Sequence, residues 1–314
     1  PVRAKFSMGG TMEQRSEILR TLCEEAGCAC LFDARMKDYT TFRIGGPAAV
    51  LLKPRSIPEI CWIRKTLSGF APIWFMGKGS NLLIPDEGVS GIVVVLGSDF
   101  SKVELQADGE TLVCEAGAPL MKLCRAALDA GLSGLEFAWG IPGTVGGGVY
   151  MNAGAYGGEM KDVVLWCEHV DGEGNLSRLS GEELQFSYRK SFYTGKSLCI
   201  VRAALKLQKG DPDAIRARMD ELMEKRRSKQ PLEFPSAGST FKRPEGAYAA
   251  ALIEECGLKG LRVGGAEVSR KHSGFLINVG NATCADVQEL IRQVQETVFK
   301  KTGYRLEPEV GSFQ

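Results

Sequence analysis

Two stretches of this chain leave backbone unusually accessible: Gly77-Lys78-Gly79-Ser80-Asn81, and Gly140-Ile141-Pro142-Gly143-Thr144-Val145-Gly146-Gly147-Gly148. Glycine has no Cβ, so successive amides in such a loop can turn toward an anion, and a diphosphate is the natural guest. Neither stretch is a P-loop, which needs Gly-Lys-Ser/Thr opening a helix. Neither is a GxGxxG dinucleotide fingerprint followed by a helix and an acidic residue. A third stretch, Asn152-Ala153-Gly154-Ala155-Tyr156-Gly157-Gly158, continues the theme. Taken alone, Gly77 to Asn81 reads equally well as an ordinary turn between strands; with the other two, a cradle is favoured. Glycine is also the one compositional excess, 38 of 314 residues against a usual share of about 7%.

The other reactive side chains point away from metal chemistry. Ten cysteines are scattered without a CxxC pair, only Cys23, Cys28 and Cys30 cluster, and the two histidines, His169 and His272, stand far from them. Most of these thiols read as small buried hydrophobes, and no metal is expected. Thirty-nine Lys and Arg against 38 Asp and Glu leave a net charge of +1, so no overall field draws the chain to nucleic acid or to an anionic membrane. Apolar runs such as Ile92 to Leu96 are too short to span a bilayer, and Pro1 to Thr11 lacks the apolar core of a signal peptide. A cytoplasmic location is the expectation; the oligomeric state is left open.

The elements that must position these loops follow from periodicity. Glu13 to Ala26 carries a helical stripe (Ile18, Leu19, Leu22, Ala26) closed by Gly27. Ala48 to Lys53, Pro72 to Met76 and Gly91 to Leu96 read as strands, with a helix over Ile57 to Leu67, so a small α/β unit opens the fold. From Val103 the texture becomes hairpins, turning at Asp108-Gly109 and around Asp171 to Asn175, with a helix over Pro119 to Ala130. Gln208 to Pro212 breaks the pattern. Beyond it come a helix from Asp211 to the basic run Lys225 to Lys229, a loop over Pro235 to Pro244, a helix over Ala247 to Cys256, strand material through Leu276 to Val279, a long helix over Ala285 to Lys301 ending at Gly303, and a last strand over Arg305 to Val310. The chain thus divides into 1–29, a helical extension; 30–97, a small α/β subdomain; 98–210, an α+β subdomain; 211–303, an α+β domain; and 304–314, a returning strand.

Four ordered segments, Thr40-Thr41-Phe42-Arg43-Ile44-Gly45-Gly46, Gly77 to Leu83, Gly140 to Gly147 and Asn152 to Tyr156, resemble the FAD-binding half of the UDP-N-acetylenolpyruvoylglucosamine reductase family. The first two are shared across vanillyl-alcohol-oxidase-type flavoproteins. The resemblance continues through Tyr188-Arg189-Lys190-Ser191, Gln230-Pro231, Ala237 to Pro244, Gly264-Gly265-Ala266, Lys271 to Phe275 and Leu306-Glu307-Pro308-Glu309-Val310, and covers about residues 30 to 310. It implies a two-part FAD-binding region followed by a C-terminal α+β substrate domain. It also implies NADPH as electron donor and a UDP-sugar enolpyruvyl ether as substrate, reduced to UDP-N-acetylmuramate for peptidoglycan.

The same resemblance assigns FAD contacts to Arg43, Gly45, Gly77, Lys78, Gly79, Ser80, Asn81, Leu82, Gly140, Ile141, Pro142, Gly143, Thr144, Gly146, Gly147, Asn152, Gly154 and Ala155. It implies Ser239 as proton donor, Arg189 as the guanidinium that binds the substrate carboxylate, and Glu309 as the acid that polarises it, preferred to Glu307 two residues away on the same face of a strand. Substrate contacts are expected from Tyr188, Lys229, Lys242 and Arg243; Lys242 or Lys229 would steady the conjugate base of Ser239. Two features depart from the family pattern: Arg243 stands where many relatives have Asn, and the ending Gly311-Ser312-Phe313 is not the common basic-apolar one; the short span between Arg189 and Asp211 leaves no room for the extra tyrosine-bearing loop of the longer subtype, so the resemblance is to the shorter subtype. A sugar or lactone oxidase of the same superfamily is the rival, but such enzymes often hold FAD through a histidine and neither His169 nor His272 lies in the cradle. A non-catalytic flavin-binding protein is a second rival; it should lack Ser239, Arg189 or Glu309, and all three are present.

Overall fold

The computed structural model describes residues 12–25 and 27–313, so Pro1 to Thr11, and Ala26 of the first helical stripe, lie outside the described residues. Helix α1 (Met12–Glu25) leads into β1 (Ala29–Arg35), a strand the sequence reading does not contain; β2 (Pro47–Lys53), α2 (Ile57–Leu67), β3 (Ile73–Met76) and β4 (Val89–Val95) follow. They form a sheet in the order β1-β2-β4-β3, with β1 antiparallel and the other three parallel. Strand alternation assigns its two faces. Val50, Leu52, Ile92 and Val94 join Ile60, Ile63 and Leu67 of α2 in the largest core, while Leu51, Val93 and Val95 build a small core around Met36 and Ile84. Helix α2 starts where it should, because the Ser56 side chain accepts from the Glu59 amide and Pro58 occupies the first turn.

The middle of the chain supplies β5 (Val103–Leu105), β6 (Thr111–Glu115), α3 (Leu120–Asp129), β7 (Leu132–Ser133), α4 (Val145–Tyr150), β8 (Gly154–Ala155), β9 (Gly158–Glu159), β10 (Val164–Val170), β11 (Leu176–Ser180), β12 (Cys199–Lys206) and β13 (Gln208–Lys209). Both expected hairpins are present, in a five-stranded antiparallel sheet ordered β11-β10-β12-β6-β5. Its central strand, β12, is not anticipated; Cys199, Ile200, Val201, Ala203, Ala204 and Leu205 are all buried, so it has no alternation to read. Within the glycine-rich segment, Val145-Gly146-Gly147-Gly148-Val149-Tyr150 forms the short helix α4, capped by Thr144.

The remainder comprises α5 (Pro212–Lys229), β14 (Ser236–Ser239), α6 (Ala249–Glu255), β15 (Arg262–Val263), β16 (Ala266–Val268), β17 (Phe275–Asn278) and α7 (Cys284–Thr302). Three expectations change here. Helix α5, placed by sequence at the head of the substrate domain, buries Ile215 and Met219 in the first core, so the packing unit that follows begins after it. The expected loop Pro235 to Pro244 begins with β14, which pairs with β17 at the edge of an antiparallel sheet ordered β14-β17-β16-β15. The expected last strand, Arg305 to Val310, makes a single bridge, Phe241 with Pro308, and the next residue, Gly311, makes another with Leu82. Pro308 has no N–H for a ladder, and the segment crosses between two bodies instead of running along one strand. Helices α6 and α7 cover the C-terminal sheet through Leu252, Ile253, Val287, Leu290, Val294 and Val298. Phe42, Ile44 and Leu83 from the N-terminal half enter the same core.

Candidate active site

The first glycine loop leaves the end of β3 and touches the second glycine segment at Thr144 and the chain at Tyr39 to Thr41. Gly79 has φ +59°, and a Cβ there would lie 2.5 Å from the Tyr39 carbonyl oxygen; a Cβ on Gly77 would collide with Thr144. The Thr41 amide donates to Gly79 O at 3.3 Å. Among the described residues, the amides of Lys78, Gly79, Ser80 and Asn81 have no protein acceptor. Successive unbonded amides, one of them on a lysine, are what a diphosphate requires.

The second segment has the same composition and the opposite bonding. The Val145 and Gly146 amides donate to Ala118 O and Ala116 O, each at 2.8 Å, and the Gly147 amide donates to Thr144 Oγ1 at 3.4 Å. The Ile141 and Gly143 amides are engaged too, with Ala138 O at 3.0 Å and Ile141 O at 2.9 Å, and Pro142 has none. Gly146 is there for packing, since its Cβ would sit 2.8 Å from Ala116 Cβ. Among the described residues only the Gly140 and Thr144 amides of this segment have no protein acceptor, so it offers separate amides along a packed wall and not a continuous row. Gly45 is likewise a packing glycine, its Cβ position 2.7 Å from Ile84 Cβ, and Arg43 stands exposed with φ +56°.

Asn152 is fully buried at φ +42°. Its Nδ2 donates to Glu159 Oε2 at 2.7 Å and to Ser187 O at 3.0 Å, and its Oδ1 accepts from the Lys161 amide at 2.9 Å. Both amide hydrogens are engaged, so this side chain pins the turn before Arg189 and has no donor left for a cofactor. Ala155 pairs with Gly158 in the β8–β9 hairpin.

Arg189, at φ +55°, donates from Nε to Glu309 Oε1 at 2.8 Å and from its terminal nitrogen to Gly154 O at 3.2 Å. Glu309 is mostly buried in that pair, whereas Glu307 is 70% exposed and pairs with Lys242. The two carboxylates therefore do not share a face. Burial raises the Glu309 carboxyl above its ordinary pKa, while Arg189 and Lys242 pull it down. The Glu309 amide donates to Thr240 O at 2.7 Å, which brings the pair beside Ser239. Asn81 Nδ2 donates to Glu309 O at 3.2 Å, and Leu83 N and Gly311 N complete the tie with Gly311 O and Asn81 O at 2.8 and 2.9 Å. The C-terminal segment thus stitches the open-amide loop to the serine strand. Phe313 stacks on Trp74, ring centroids 5.7 Å apart, and anchors its end.

Ser239 closes β14 with an exposed side chain that has no hydrogen bond to a described residue. Gly238 before it has φ +75° with nothing within 4 Å of where a Cβ would stand. The rim holds Tyr188, whose hydroxyl accepts from the Arg243 amide at 3.2 Å, and Arg243, whose guanidinium carbon lies 4.6 Å from the Tyr248 ring centroid. Lys229, in the last turn of α5, is exposed and has no ion pair among the described residues.

A family model described as the C-terminal domain of UDP-N-acetylenolpyruvoylglucosamine reductase matches residues 230–313, and an FAD binding domain matches residues 48–180. The UDP-N-acetylenolpyruvoylglucosamine reductase of Clostridium novyi is 48% identical over 277 residues, covering 88% of this chain and 89% of the relative. The chain belongs to the UDP-N-acetylenolpyruvoylglucosamine reductase family. The reductase of Caldanaerobacter subterraneus subsp. tengcongensis is 48% identical, covering 88% of this chain and 90% of its own length. The crystal structure of the UDP-N-acetylenolpyruvylglucosamine reductase of Thermus caldophilus superposes with a TM-score of 0.78 at 38% identity, covering 91% of this chain and 99% of that one. The chain is a flavin-dependent oxidoreductase that uses FAD and NADPH, with the mixed α+β fold of this reductase family.

The residues present fit FAD: a row of free amides at Lys78 to Asn81, and glycines whose Cβ atoms would close the cradle. Among the described residues no helix is long and apolar enough to cross a membrane. Two residues of this reductase escape the sequence reading. Thr240 carries the link between Ser239 and Glu309, which only the folded chain creates. Arg226 is counted there only within a basic run, although Ile215, Met219, Leu222 and Arg226 share the buried stripe of α5; that helical spacing is the signal that finds it.

Proposed function

We propose that this chain reduces the enolpyruvyl ether of UDP-N-acetylglucosamine to UDP-N-acetylmuramate in the cytoplasm, with Ser239, Arg189 and Glu309 as its catalytic residues. FAD, when bound, supplies the hydride that NADPH delivers to it. The observation that carries the assignment of roles is the Arg189–Glu309 pair at 2.8 Å, tied through Thr240 O to the residue after Ser239. Arg189 offers its planar fork to the substrate carboxylate. Ser239 gives its proton to the carbon beside the one that receives the hydride. Lys242, near enough to lower the Glu309 pKa, favours the resulting alkoxide. The rim of Tyr188, Arg243 and Lys229 would take the sugar nucleotide.

Glu309 changes role when substrate arrives. At rest its carboxylate balances Arg189; an incoming carboxylate competes for that guanidinium and adds negative charge, and burial already raises the Glu309 pKa. The protonated acid then donates a hydrogen bond to the substrate carboxylate as charge develops there. The test is anaerobic: reduce the yellow protein with NADPH, then add the enolpyruvyl UDP-sugar. Return of the oxidised flavin bands supports the reading, and flavin that stays reduced refutes it. Ser239→Ala should leave reduction by NADPH intact and slow reoxidation by about 10²–10⁴-fold; equal loss of both half-reactions removes Ser239 as proton donor. Reoxidation should also fall as pH rises through the elevated Glu309 pKa, and Glu309→Gln, which keeps a donor that cannot titrate, should flatten that limb. An unaltered limb in this variant rejects the assignment.

A further inference from the structure

Asn81 stands where the open-amide loop meets the C-terminal segment, and its backbone and side chain serve different partners. The backbone amide has no acceptor among the described residues and belongs to the free row. The carboxamide turns toward the protein: Nδ2 donates to Glu309 O at 3.2 Å and to Met151 Sδ at 3.8 Å, which engages both of its hydrogens. A carbonyl oxygen only accepts, so the contact with Glu309 O fixes which end of the carboxamide faces it. The atom left over, Oδ1, is an acceptor, as are the oxygens of a phosphate. The side chain therefore has nothing to offer the diphosphate that its own amide suits.

What the carboxamide holds is the main chain of Glu309. The Glu309 amide donates to Thr240 O at 2.7 Å, and its carbonyl accepts from Asn81, so the peptides on either side of its Cα are tied to the serine strand and to the open-amide loop. The carboxylate itself bonds Arg189 Nε. A substrate carboxylate that competes for that guanidinium leaves the direction of the acid to the two main-chain ties. The Thr240 tie is backbone to backbone; among the described residues, Asn81 supplies the only one made by a side chain. The loop is a firm base for it. The Thr41 amide donates to Gly79 O at 3.3 Å while Thr41 Oγ1 donates to Ser236 O at 2.7 Å, and Asn81 O accepts from the Gly311 amide at 2.9 Å. A donor on this loop thus stands in fixed register with β14 and Ser239.

We propose that Asn81 is the positioning residue of Glu309, its carboxamide aiming the acid at the substrate carboxylate. This rests on the reading of Glu309 given above, and the experiment separates the two. In the FAD-loaded enzyme, Asn81→Ala should slow reoxidation by saturating enolpyruvyl UDP-sugar about tenfold. The substrate concentration for half-maximal rate, the reduction by NADPH, and the FAD affinity of the apoprotein followed by flavin fluorescence should all be unchanged. In a Glu309→Ala background, where no carboxyl is left to aim, Asn81→Ala should cost no further rate, because residues that act as one unit are not additive. The same loss in that background overturns the proposal, as does reoxidation untouched by Asn81→Ala but slowed by Glu309→Ala; both results leave the acid in place. Weaker FAD binding with unaltered reoxidation assigns the carboxamide to the cofactor and overturns the proposal too. Reoxidation that Glu309→Ala leaves unchanged removes the acid itself, and the proposal with it. Asn81 does not have a positive φ, so alanine suits its backbone. Should that variant not fold, Asn81→Ser, whose hydroxyl is too short to reach Glu309 O, is read in the same way.

Discussion

The loops Gly77 to Asn81 and Gly140 to Gly147 look alike as sequence and do opposite things with their backbones. In the first, four consecutive amides have no acceptor among the described residues; in the second, the amides of Ile141, Gly143, Val145, Gly146 and Gly147 are all bonded. One leaves a row of amides free of protein acceptors, the other is a tightly packed wall whose glycines allow close approach. Glycine content thus marks nearness of backbone to something, and the hydrogen-bond ledger tells whether that something is a ligand or the protein itself.

Substitutions separate the two kinds of glycine when stability is measured with and without FAD. The largest effect is expected from Gly79→Ala, which forces a Cβ against Tyr39 O in a left-handed conformation. FAD affinity should drop about 100-fold, or about 2.7 kcal/mol, and the rise in Tm on adding FAD should vanish. A preserved FAD-dependent rise would break the comparison. Gly146→Ala should do the reverse, overpacking Ala116 at a cost of about 1–3 kcal/mol in the apoprotein while the rise with FAD remains. Asn152→Ala belongs with the wall: it removes the buried amide that bonds Glu159, Ser187 O and the Lys161 amide. Thermal unfolding should show a loss of about 1–3 kcal/mol, with flavin binding kept and the Arg189-dependent step slowed. The smallest change is expected from Thr144→Val, which removes the cap of α4 for about 1 kcal/mol; denaturant titration would register it as a shifted midpoint with an unchanged slope.

The legible part of the fold is the part with local cause. Helix α2 has Ser56 and Pro58 at its start, α7 has Thr283 with Asp286 at its start and Gly303 at its end, and the hairpin of β5 and β6 has Asp108-Gly109. Strand β12 was hidden because both of its faces are buried, and β1 because it is an edge strand of alternating half-burial. The candidate site divides the same way. Ser239, Arg189 and Glu309 are visible in motifs, whereas the burial of Asn152 and of Arg226 appears only in the folded chain.

By itself the sequence determined the family, the order of elements and the three polar groups of the proposed chemistry, because caps, turns and motifs act over a few residues. Only the tertiary structure decided which amides stay free, which of Glu307 and Glu309 is buried with Arg189, and that Arg305 to Val310 is a strap between the FAD loop and the serine strand. Those outcomes depend on contacts between residues more than 60 positions apart, such as Asn81 with Glu309 and Thr240 with Glu309. Spacing along the chain carries no record of them, since burial and hydrogen-bond partners at such separations are set by packing.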